Sequence, residues 1–275
     1  MPRMSTTPPT STNNPGPTAE TATGSTSATE SVWDENNLHN PHAIPDKARR
    51  VREMFSAIAT SYDLNNRLHS MWRDQAWRRS AVRMCDVTSS DRVLDVACGT
   101  GDLSLAFAAA SPERVIGLDF THEMVQIALT KVPDNADVPI TFGDGDAMRL
   151  PMVDQTVDVV SIAFGIRNVA EPMRAVHEFY RVLRPGGRLM ILEFSLPRNA
   201  ILRGLYNFYF RHIMPRTATL ISGDRSGAYK YLPKSVNTFI GREQLIDMMD
   251  QAGFKRIQAK PLTFGIAIAY LGIKE

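Results

Sequence analysis

Residues 92–102 read Arg-Val-Leu-Asp-Val-Ala-Cys-Gly-Thr-Gly-Asp, a short β-branched run that ends in two closely spaced glycines. The run at 92–97 predicts a buried strand, and the Ala- and Leu-rich residues 103–110 predict a helix. Because glycine has no Cβ, a glycine-rich turn between strand and helix lets backbone N–H groups approach a ligand closely. These residues therefore predict a strand–turn–helix unit with a ligand at its turn.

Strand and helix patterns alternate through the next hundred residues. Helices are predicted at 123–131 and 173–183, and strands at 115–119, 140–142, 157–163 and 189–193. Beyond residue 193 the pattern changes, and two closing strands are predicted at 255–261 and 266–271. The last two strands would form an edge hairpin. The alternation predicts an α/β fold: a doubly wound, mostly parallel, seven-stranded Rossmann-like sheet with an antiparallel edge hairpin. Such a sheet binds its ligand beyond the carboxyl ends of the strands.

Composition separates an extension from a body. Residues 1–31 contain nine Thr, five Ser and five Pro, and a segment of this kind cannot bury a core. We expect a disordered Ser/Thr/Pro-rich extension over residues 1–45, followed by one domain over residues 46–275.

Two helical regions are predicted around the sheet of that domain. One is an N-terminal layer at residues 46–86. The other is a lid or insertion at about 196–240, with a helix near 199–214 and a long polar loop at 216–230.

Charge and cysteine content exclude several classes of protein. Outside the first 31 residues there are 30 basic and 27 acidic side chains, too even a balance for a protein that mainly binds nucleic acid. Cys85 and Cys98 lack the spacing of a zinc site or a disulfide framework, so we expect no metal and a reducing compartment. Without a secretory signal pattern, a cytoplasmic location is expected.

The residues around the glycine turn indicate the cofactor. Ser104 stands where the dinucleotide fingerprint needs Gly or Ala. Asp119 ends the second strand, where a carboxylate can accept both hydroxyls of a ribose. Asp95 would repel phosphate and suits a cationic amino acid group. An adenosyl group joined to an amino acid meets these conditions, so the sequence predicts S-adenosyl-L-methionine. The alternative is that both carboxylates only cap loops.

Several stretches resemble one known family. The glycine loop is similar to that of class I methyltransferases. More specific are Tyr62-Asp-Leu-Asn-Asn-Arg-Leu-His-Ser-Met-Trp-Arg-Asp-Gln-Ala-Trp77, Phe164-Gly-Ile-Arg-Asn-Val169 and Arg181-Val-Leu-Arg-Pro-Gly-Gly187, which resemble the menaquinone/ubiquinone biosynthesis C-methyltransferase family. Ala228-Tyr-Lys-Tyr-Leu-Pro-Lys-Ser235 and Ala252-Gly-Phe254 are similar as well, so the resemblance covers about residues 48–273.

The resemblance implies a demethylmenaquinone methyltransferase, which transfers a methyl group from S-adenosylmethionine to the ring of a polyprenyl quinol. Its cofactor contacts fall on Gly99 and Thr100 in the loop, Asp119 at the ribose, and Asp146 and Ala147 at the adenine. At the adenine, a carboxylate would accept from the exocyclic amine and a backbone N–H would donate to a ring nitrogen.

Methylating a ring carbon requires a phenolate, and Arg167 is the residue we expect to stabilise its charge. Arg167 follows the predicted fourth strand, beside the expected cofactor site. The alternative for Arg167 is a surface ion pair. The general base stays open between Tyr62, a nearby Asp and water.

Two stretches fit a lipophilic substrate. Residues 46–84 contain nine Lys or Arg against four Asp or Glu, interleaved with apolar side chains, and residues 201–214 are rich in aromatic and aliphatic residues. We expect peripheral contact with the inner face of the membrane, through a lid over a polyprenyl chain. The alternative is ordinary core packing beneath a solvated basic face. A homo-oligomer stays open.

Three other functions compete with menaquinol formation. A 2-polyprenyl-6-methoxy-1,4-benzoquinol of ubiquinone biosynthesis would need the same chemistry. A sterol or phospholipid methyltransferase would share only the cofactor fold, and residues 164–169 argue against it. A non-catalytic scaffold that binds S-adenosylmethionine is the third, and the intact set of predicted cofactor residues weighs against it.

Overall fold

The computed structural model of the protein describes residues 32–33, 37–223 and 226–275. One seven-stranded sheet in this part of the chain has the spatial order β3-β2-β1-β4-β5-β7-β6. Its strands are β1 (Arg92–Val96), β2 (Arg114–Asp119), β3 (Ile140–Asp144), β4 (Val157–Ala163), β5 (Leu183–Phe194), β6 (Phe254–Leu262) and β7 (Ala267–Lys274).

The first five strands are parallel, and β7 runs antiparallel to both β5 and β6. This arrangement confirms the predicted fold class. The strand order reverses at β1, which pairs with β2 on one side and β4 on the other. A ligand site is therefore expected at the carboxyl ends of β1 and β4.

Helices cover both faces of the sheet, so its central strands are buried on both sides. Val93 and Leu94 of β1 illustrate this, since their side chains enter different core clusters and neither is exposed. Because successive side chains of a strand point to opposite faces, a strand buried on both faces needs apolar residues at consecutive positions. The helices that follow or precede the strands are α4 (Asp102–Ala108), α5 (His122–Thr130), α6 (Pro172–Val182) and α10 (Arg242–Gln251).

Three helices precede the sheet: α1 (Lys47–Ile58), α2 (Tyr62–Ser70) and α3 (Arg73–Cys85). Met71 and Trp72 have φ values of 51° and 62°. Two consecutive left-handed residues turn the chain sharply, so α3 leaves at an angle to α2. Trp77 of α3 packs into the core beside Phe164, which places the α2–α3 corner over the carboxyl end of β4.

The lid region contains more helix than the sequence predicted. It consists of α7 (Ala200–Phe208), a π-helical turn (Tyr209–Ile213), α8 (Met214–Ser222) and α9 (Ala228–Thr238). The predicted polar loop at 216–230 is wrong for its described residues, most of which belong to α8 and α9. Met214 and Ala218, four residues apart, are buried and give α8 an apolar face. The exposed threonines between and beside them make the segment look polar in the sequence.

The predicted boundary at residue 45 needs correction. Trp33 is only 1% exposed, and its ring centroid lies 4.4 Å from that of Tyr231. Leu38 is buried in the same cluster, together with Val51 of α1. The composition of the whole 45-residue segment is polar, so it gives no sign of the two apolar side chains, Trp33 and Leu38, that pack with the domain. Residues 1–31 and 34–36 of the predicted extension lie outside the described residues.

Candidate active site

A cavity that we call the cofactor pocket opens at the carboxyl ends of β1, β2, β3 and β4. It is lined by Gly99 after β1, Asp119 at the end of β2, Asp146 and Ala147 after β3, and Gly165 after β4. This is the position at which a doubly wound sheet holds its ligand. Four of the five predicted cofactor residues thus line one cavity.

The glycine turn follows tightly on β1. Gly101 has a φ of +84°, and a Cβ on it would stand 2.9 Å from the ring of Phe142. Gly165 is packed just as tightly against its neighbours, because a Cβ there would stand 2.8 Å from the Cβ of Ala97. A side chain at either position would force these neighbours to shift, and at Gly101 the positive φ would add backbone strain. The glycines are therefore required by packing as well as by access to a ligand.

Asp119 is the buried carboxylate of the pocket. Its Oδ2 accepts the backbone N–H of Gly99 at 2.7 Å, and its Oδ1 accepts that of Thr121 at 2.8 Å. Burial raises the pKa of Asp119, and the two backbone hydrogen bonds oppose that shift. A carboxylate has about four lone-pair sites, so acceptor capacity is left for the hydroxyls of a ribose. Asp119 can both shape the turn and hold a ligand.

Thr100 and Asp95 have different surroundings from those expected. The Thr100 hydroxyl is buried and donates to Oδ1 of Asp63 at 2.6 Å, which ties the turn to α2. Asp95 lies beneath the turn, where it accepts hydrogen bonds from the hydroxyls of Ser104 and Ser161 at 2.6 and 2.7 Å. Burial raises the pKa of Asp95 to about 6. Asp95 therefore supports the turn and does not line the cofactor pocket.

The charge of the cofactor pocket matches the predicted ligand. Among the described residues that line it, Asp119 and Asp146 are ionisable acids and none is Lys or Arg. A phosphate would meet repulsion here, whereas a sulfonium or an ammonium group would be favoured. Gly99, Asp119, Asp146 and Ala147 are thus suited to hold S-adenosylmethionine.

Beside the cofactor pocket lies a second cavity of about 470 Å³, which we call the large cavity. Phe55, Tyr62 and Phe164 line both cavities. The walls of the large cavity come from α1, α2, α3, α7 and α9, and most of its lining is aromatic or aliphatic. Its volume is typical of a small-molecule site.

Arg167 lines the large cavity, in the turn that follows β4. Its Nη1 lies 2.8 Å from Oε1 of Glu193 and donates to the carbonyl oxygen of Phe164 at 2.6 Å. Both partners of this ion pair are buried. The alternative of a surface ion pair is therefore wrong, and Arg167 is a cation held inside the molecule.

A buried lysine supports the same turn. Nζ of Lys47, the first residue of α1, donates to the carbonyl oxygens of Arg167 at 2.8 Å and Val169 at 2.6 Å. Burial, together with the positive charge of Arg167, lowers the pKa of Lys47 to about 8. The N-terminal layer thus fixes the turn that separates the two cavities.

Tyr62 stands between the cavities, and burial raises the pKa of its hydroxyl. From the sequence, Tyr62, a nearby Asp and water are the candidates for the general base. Ser70, Asp74 and Arg78, which also line the large cavity, were not singled out. Their spacing of four residues, which places side chains on one face of a helix, was the available signal.

Solved structures show the class of fold. A SAM-dependent methyltransferase from Aquifex aeolicus gives a TM-score of 0.53 at 17% identity, covering 72% of this chain and 89% of that chain. The [4+2]-cyclase SpnF gives 0.62 at 19%, covering 82% and 96%. The chain has the Rossmann-like methyltransferase fold. Because a cyclase shares it, the fold alone does not specify the reaction.

The sequence comparisons narrow the class to one family. The model of the ubiE/COQ5 methyltransferase family matches residues 44–274, and the chain belongs to this family. The predicted resemblance is thereby confirmed, and with it an S-adenosylmethionine-dependent methyltransferase.

Three curated relatives illustrate the match. The ubiquinone/menaquinone biosynthesis C-methyltransferase UbiE of Syntrophotalea carbinolica is 45% identical over 82% of this chain and 94% of its own. Demethylmenaquinone methyltransferases of Deinococcus radiodurans and Bacillus cereus are 43% and 40% identical, over 84% and 83% of this chain and 95% and 97% of their own. The chain therefore aligns with nearly the whole length of these relatives.

Proposed function

We propose that the protein methylates a ring carbon of demethylmenaquinol to give menaquinol. The observation that carries the proposal is the large apolar cavity, which adjoins the acidic cofactor pocket along Phe55, Tyr62 and Phe164. An apolar polyprenyl quinol suits such a cavity, and the shared wall brings its ring next to the methyl donor. The relatives from Deinococcus radiodurans and Bacillus cereus carry the name demethylmenaquinone methyltransferase.

The residues of the chain divide the work of this reaction. When bound, S-adenosylmethionine supplies an electrophilic methyl group. Asp119 and Asp146 would hold the ribose and the adenine, which is the assignment that the family resemblance implies. Phe55 and Phe164 exclude water from the shared wall, which strengthens electrostatic interactions there.

Arg167 stabilises the negative charge that develops on the quinol oxygen. Its guanidinium is buried and lines the large cavity beside Phe164. A fixed cation in a site with little water stabilises a phenolate more strongly than water does. Glu193 keeps the guanidinium in place and balances its charge when no substrate is bound.

Mass spectrometry of labelled products tests the reaction. The protein is incubated with S-adenosylmethionine carrying an isotopically labelled methyl group and with one of three acceptors: demethylmenaquinol, 2-polyprenyl-6-methoxy-1,4-benzoquinol or phosphatidylethanolamine. We expect the label on the ring of demethylmenaquinol. Label on the benzoquinol alone would favour ubiquinone biosynthesis, and label on the phospholipid alone would refute quinol methylation. Calorimetric cofactor binding without labelling of any acceptor would favour a scaffold.

We further propose that the mouth of the large cavity docks on an anionic membrane surface. Met71, Leu205 and Phe264 line the cavity and are also 79%, 63% and 81% exposed. Arg73, which lines the cavity too, and Arg203 on the lid are exposed. Apolar side chains beside arginines suit the boundary between headgroups and acyl chains. In the described part of the chain, no helix has the length and apolarity needed to cross a membrane.

Vesicle co-sedimentation tests the docking surface. Vesicles of phosphatidylglycerol and phosphatidylcholine should sediment the protein at low salt and release it at high salt, because salt screens the arginines. Leu205→Ser combined with Phe264→Ser should weaken binding at least fivefold. Val153→Ser is the matched control, since Val153 is equally exposed but precedes the amino end of β4. Equal binding of both variants, or no binding of the wild type at low salt, would refute the surface.

A further inference from the structure

The large cavity contains a second buried ion pair that the proposed roles do not use. Oδ2 of Asp74 and Nη1 of Arg78 are 2.9 Å apart, and the two side chains are 6% and 8% exposed. They lie one turn apart on α3, and both line the cavity. Placing two charges in an apolar cavity is costly unless hydrogen bonds satisfy both of them.

Arg78 is not fully satisfied. Its Nε is buried and has no hydrogen-bond partner among the described residues. Its Cζ lies 5.5 Å from the centroid of the Phe164 ring, which lines both cavities. A buried donor without a partner is unfavourable, so a quinol oxygen that packs against Arg78 on binding would relieve that cost.

Asp74, in contrast, is held rigidly. Its Oδ1 accepts the Ser70 hydroxyl at 2.8 Å, and its Oδ2 accepts Nε2 of Gln75 at 3.0 Å in addition to Arg78. Nε2 of Gln75 also donates to Oδ2 of Asp102 at 2.8 Å. Asp102 begins α4, directly after the glycine turn. The carboxylate of Asp74 therefore has a fixed position relative to the cofactor pocket.

We infer that Asp74 accepts the proton of a quinol hydroxyl and that Nε of Arg78 donates to the same oxygen. The inference rests on the proposed function. The hydroxyl proton moves to Asp74, and the O–H electron pair passes into the ring. The adjacent ring carbon bonds to the methyl group while the methyl–sulfur bond breaks, its electron pair remaining on sulfur. The ring carbon then loses its proton to water, and Asp74 returns its proton to the oxygen. One proton is released per methyl group transferred.

Other titratable groups face the cavity and bear on its pH dependence. They are Tyr62 and His69 of α2, Arg73 and Arg78 of α3, Arg167 after β4, Tyr206 of α7, Tyr209 of the π-helical turn, and Tyr229 and Tyr231 of α9. Burial lowers the pKa of His69 and raises those of Tyr62, Tyr206, Tyr209 and Tyr231, all of them away from the interval between pH 7 and 9. The pKa of Lys47 lies within that interval. Because Lys47 is present in the wild type and in the variants, it changes their turnover with pH in the same way and does not affect the comparison between them.

Asp74→Asn combined with Arg78→Gln tests the inference, because the double variant leaves no unpaired buried charge. At pH 7 its turnover should fall at least 100-fold, the scale of a lost proton acceptor. Turnover should then rise about tenfold per pH unit to pH 9, as hydroxide replaces the missing base, while the wild-type profile stays flatter. Affinity for S-adenosylmethionine should stay within threefold.

A matched control is Asp91→Asn combined with Arg188→Gln. That pair is 2.5 Å apart and largely buried, and it lies near the amino end of β1, away from both cavities. The control should keep turnover within threefold of wild type and the wild-type pH profile. A similar loss in the control would show that removing any buried pair has the same effect, and would overturn the assignment.

The outcomes separate this inference from the proposed function. If the wild type methylates no quinol, the proposed function fails. If the wild type methylates demethylmenaquinol and the Asp74–Arg78 variant keeps turnover within tenfold with the wild-type pH profile, the inference alone fails.

A second variant is needed if the double variant does not fold. Asp74→Glu serves this purpose, because it keeps the charge but shifts the carboxylate by one methylene. A tenfold loss with unchanged cofactor affinity supports the assignment, and wild-type turnover overturns it.

Discussion

The cofactor pocket and the large cavity share a wall but are built in different ways. Strand ends and tight turns form most of the cofactor pocket. Helices from distant parts of the sequence form the large cavity, so residues such as Asp74 and Tyr231 meet only in the folded protein. A site made of strand ends can be recognised from a short motif, whereas a site made of helix faces depends on how the helices pack.

The two cavities also differ in charge. The cofactor pocket has carboxylates and no basic side chain among the described residues that line it, whereas the large cavity has three arginines (Arg73, Arg78 and Arg167) and one carboxylate (Asp74). A cationic methyl donor suits the first, and a ring that becomes an anion suits the second. Methyl transfer to a phenolate requires a site for a cation on one side of Phe164 and a site for an anion on the other.

The largest expected effect concerns the cofactor pocket. Asp119→Ala removes the acceptors for the ribose hydroxyls and frees the N–H of Gly99. Hydrogen bonds to a charged group contribute roughly 1.5–3 kcal/mol each, so the loss of two of them should lower the affinity for S-adenosylmethionine at least about 100-fold. Calorimetry measures it, and quinol binding should change little.

Asp144→Asn provides the control for that variant. Asp144 ends β3, beside Asp119 in the sheet, but its exposed carboxylate pairs with His122 and does not line the cofactor pocket. Its loss should leave the affinity within twofold of wild type. If both variants lose the same affinity, a general change in charge explains the result and the ribose contact does not.

A smaller effect is expected in the large cavity. Arg167→Ala removes the cation that stabilises the phenolate, so turnover at saturating quinol should fall at least tenfold while cofactor affinity is kept. The variant also leaves Glu193 as an unpaired buried charge, which lowers the free energy of unfolding. Steady-state kinetics below the unfolding transition measure the change, with Arg92→Ala, which breaks a more exposed pair, as control. A loss of less than tenfold contradicts the role.

The smallest effect concerns the support of the wall between the cavities. The pKa of Lys47 is about 8 in the folded protein and near 10.5 unfolded. Between these values the unfolded chain binds more protons, so stability rises with pH. From pH 7.5 to 9, the free energy of unfolding of the wild type relative to Lys47→Met should rise by about 1 kcal/mol. Urea unfolding at both pH values measures it, and a constant or falling difference would contradict the lowered pKa.

Sequence patterns predicted the sheet, the glycine turn and Asp119 because these depend on local order along the chain, whereas Asp146 and Ala147 were implied by the family resemblance. Gly99, Asp119, Asp146 and Ala147 line the pocket as a consequence of where their strands end. Thr100 does not line the pocket. A side chain inside a turn can point toward the pocket or away from it, and the Thr100 hydroxyl donates a hydrogen bond to Asp63.

The helical half of the molecule was harder to predict. The sequence predicts a polar loop at 216–230, yet residues 216–222 belong to α8, and Gly223 follows the last residue of that helix, a position where glycine is well tolerated. The spacing of four residues between Asp74 and Arg78 was visible in the sequence, but their place in a cavity also lined by α7 and α9, more than a hundred residues further along the chain, was not. Trp33 was hidden by the composition of its neighbours.

Photo-crosslinking gives the most direct test of the division between the two cavities. A short-chain menaquinone analogue with a diazirine on its prenyl group is irradiated with the protein, and the labelled peptides are identified by mass spectrometry. Labels are predicted on α7 and on the corner between α2 and α3, competed by demethylmenaquinol and not by S-adenosylhomocysteine. Labels on the cofactor pocket, or competition by S-adenosylhomocysteine alone, would contradict a separate quinol cavity.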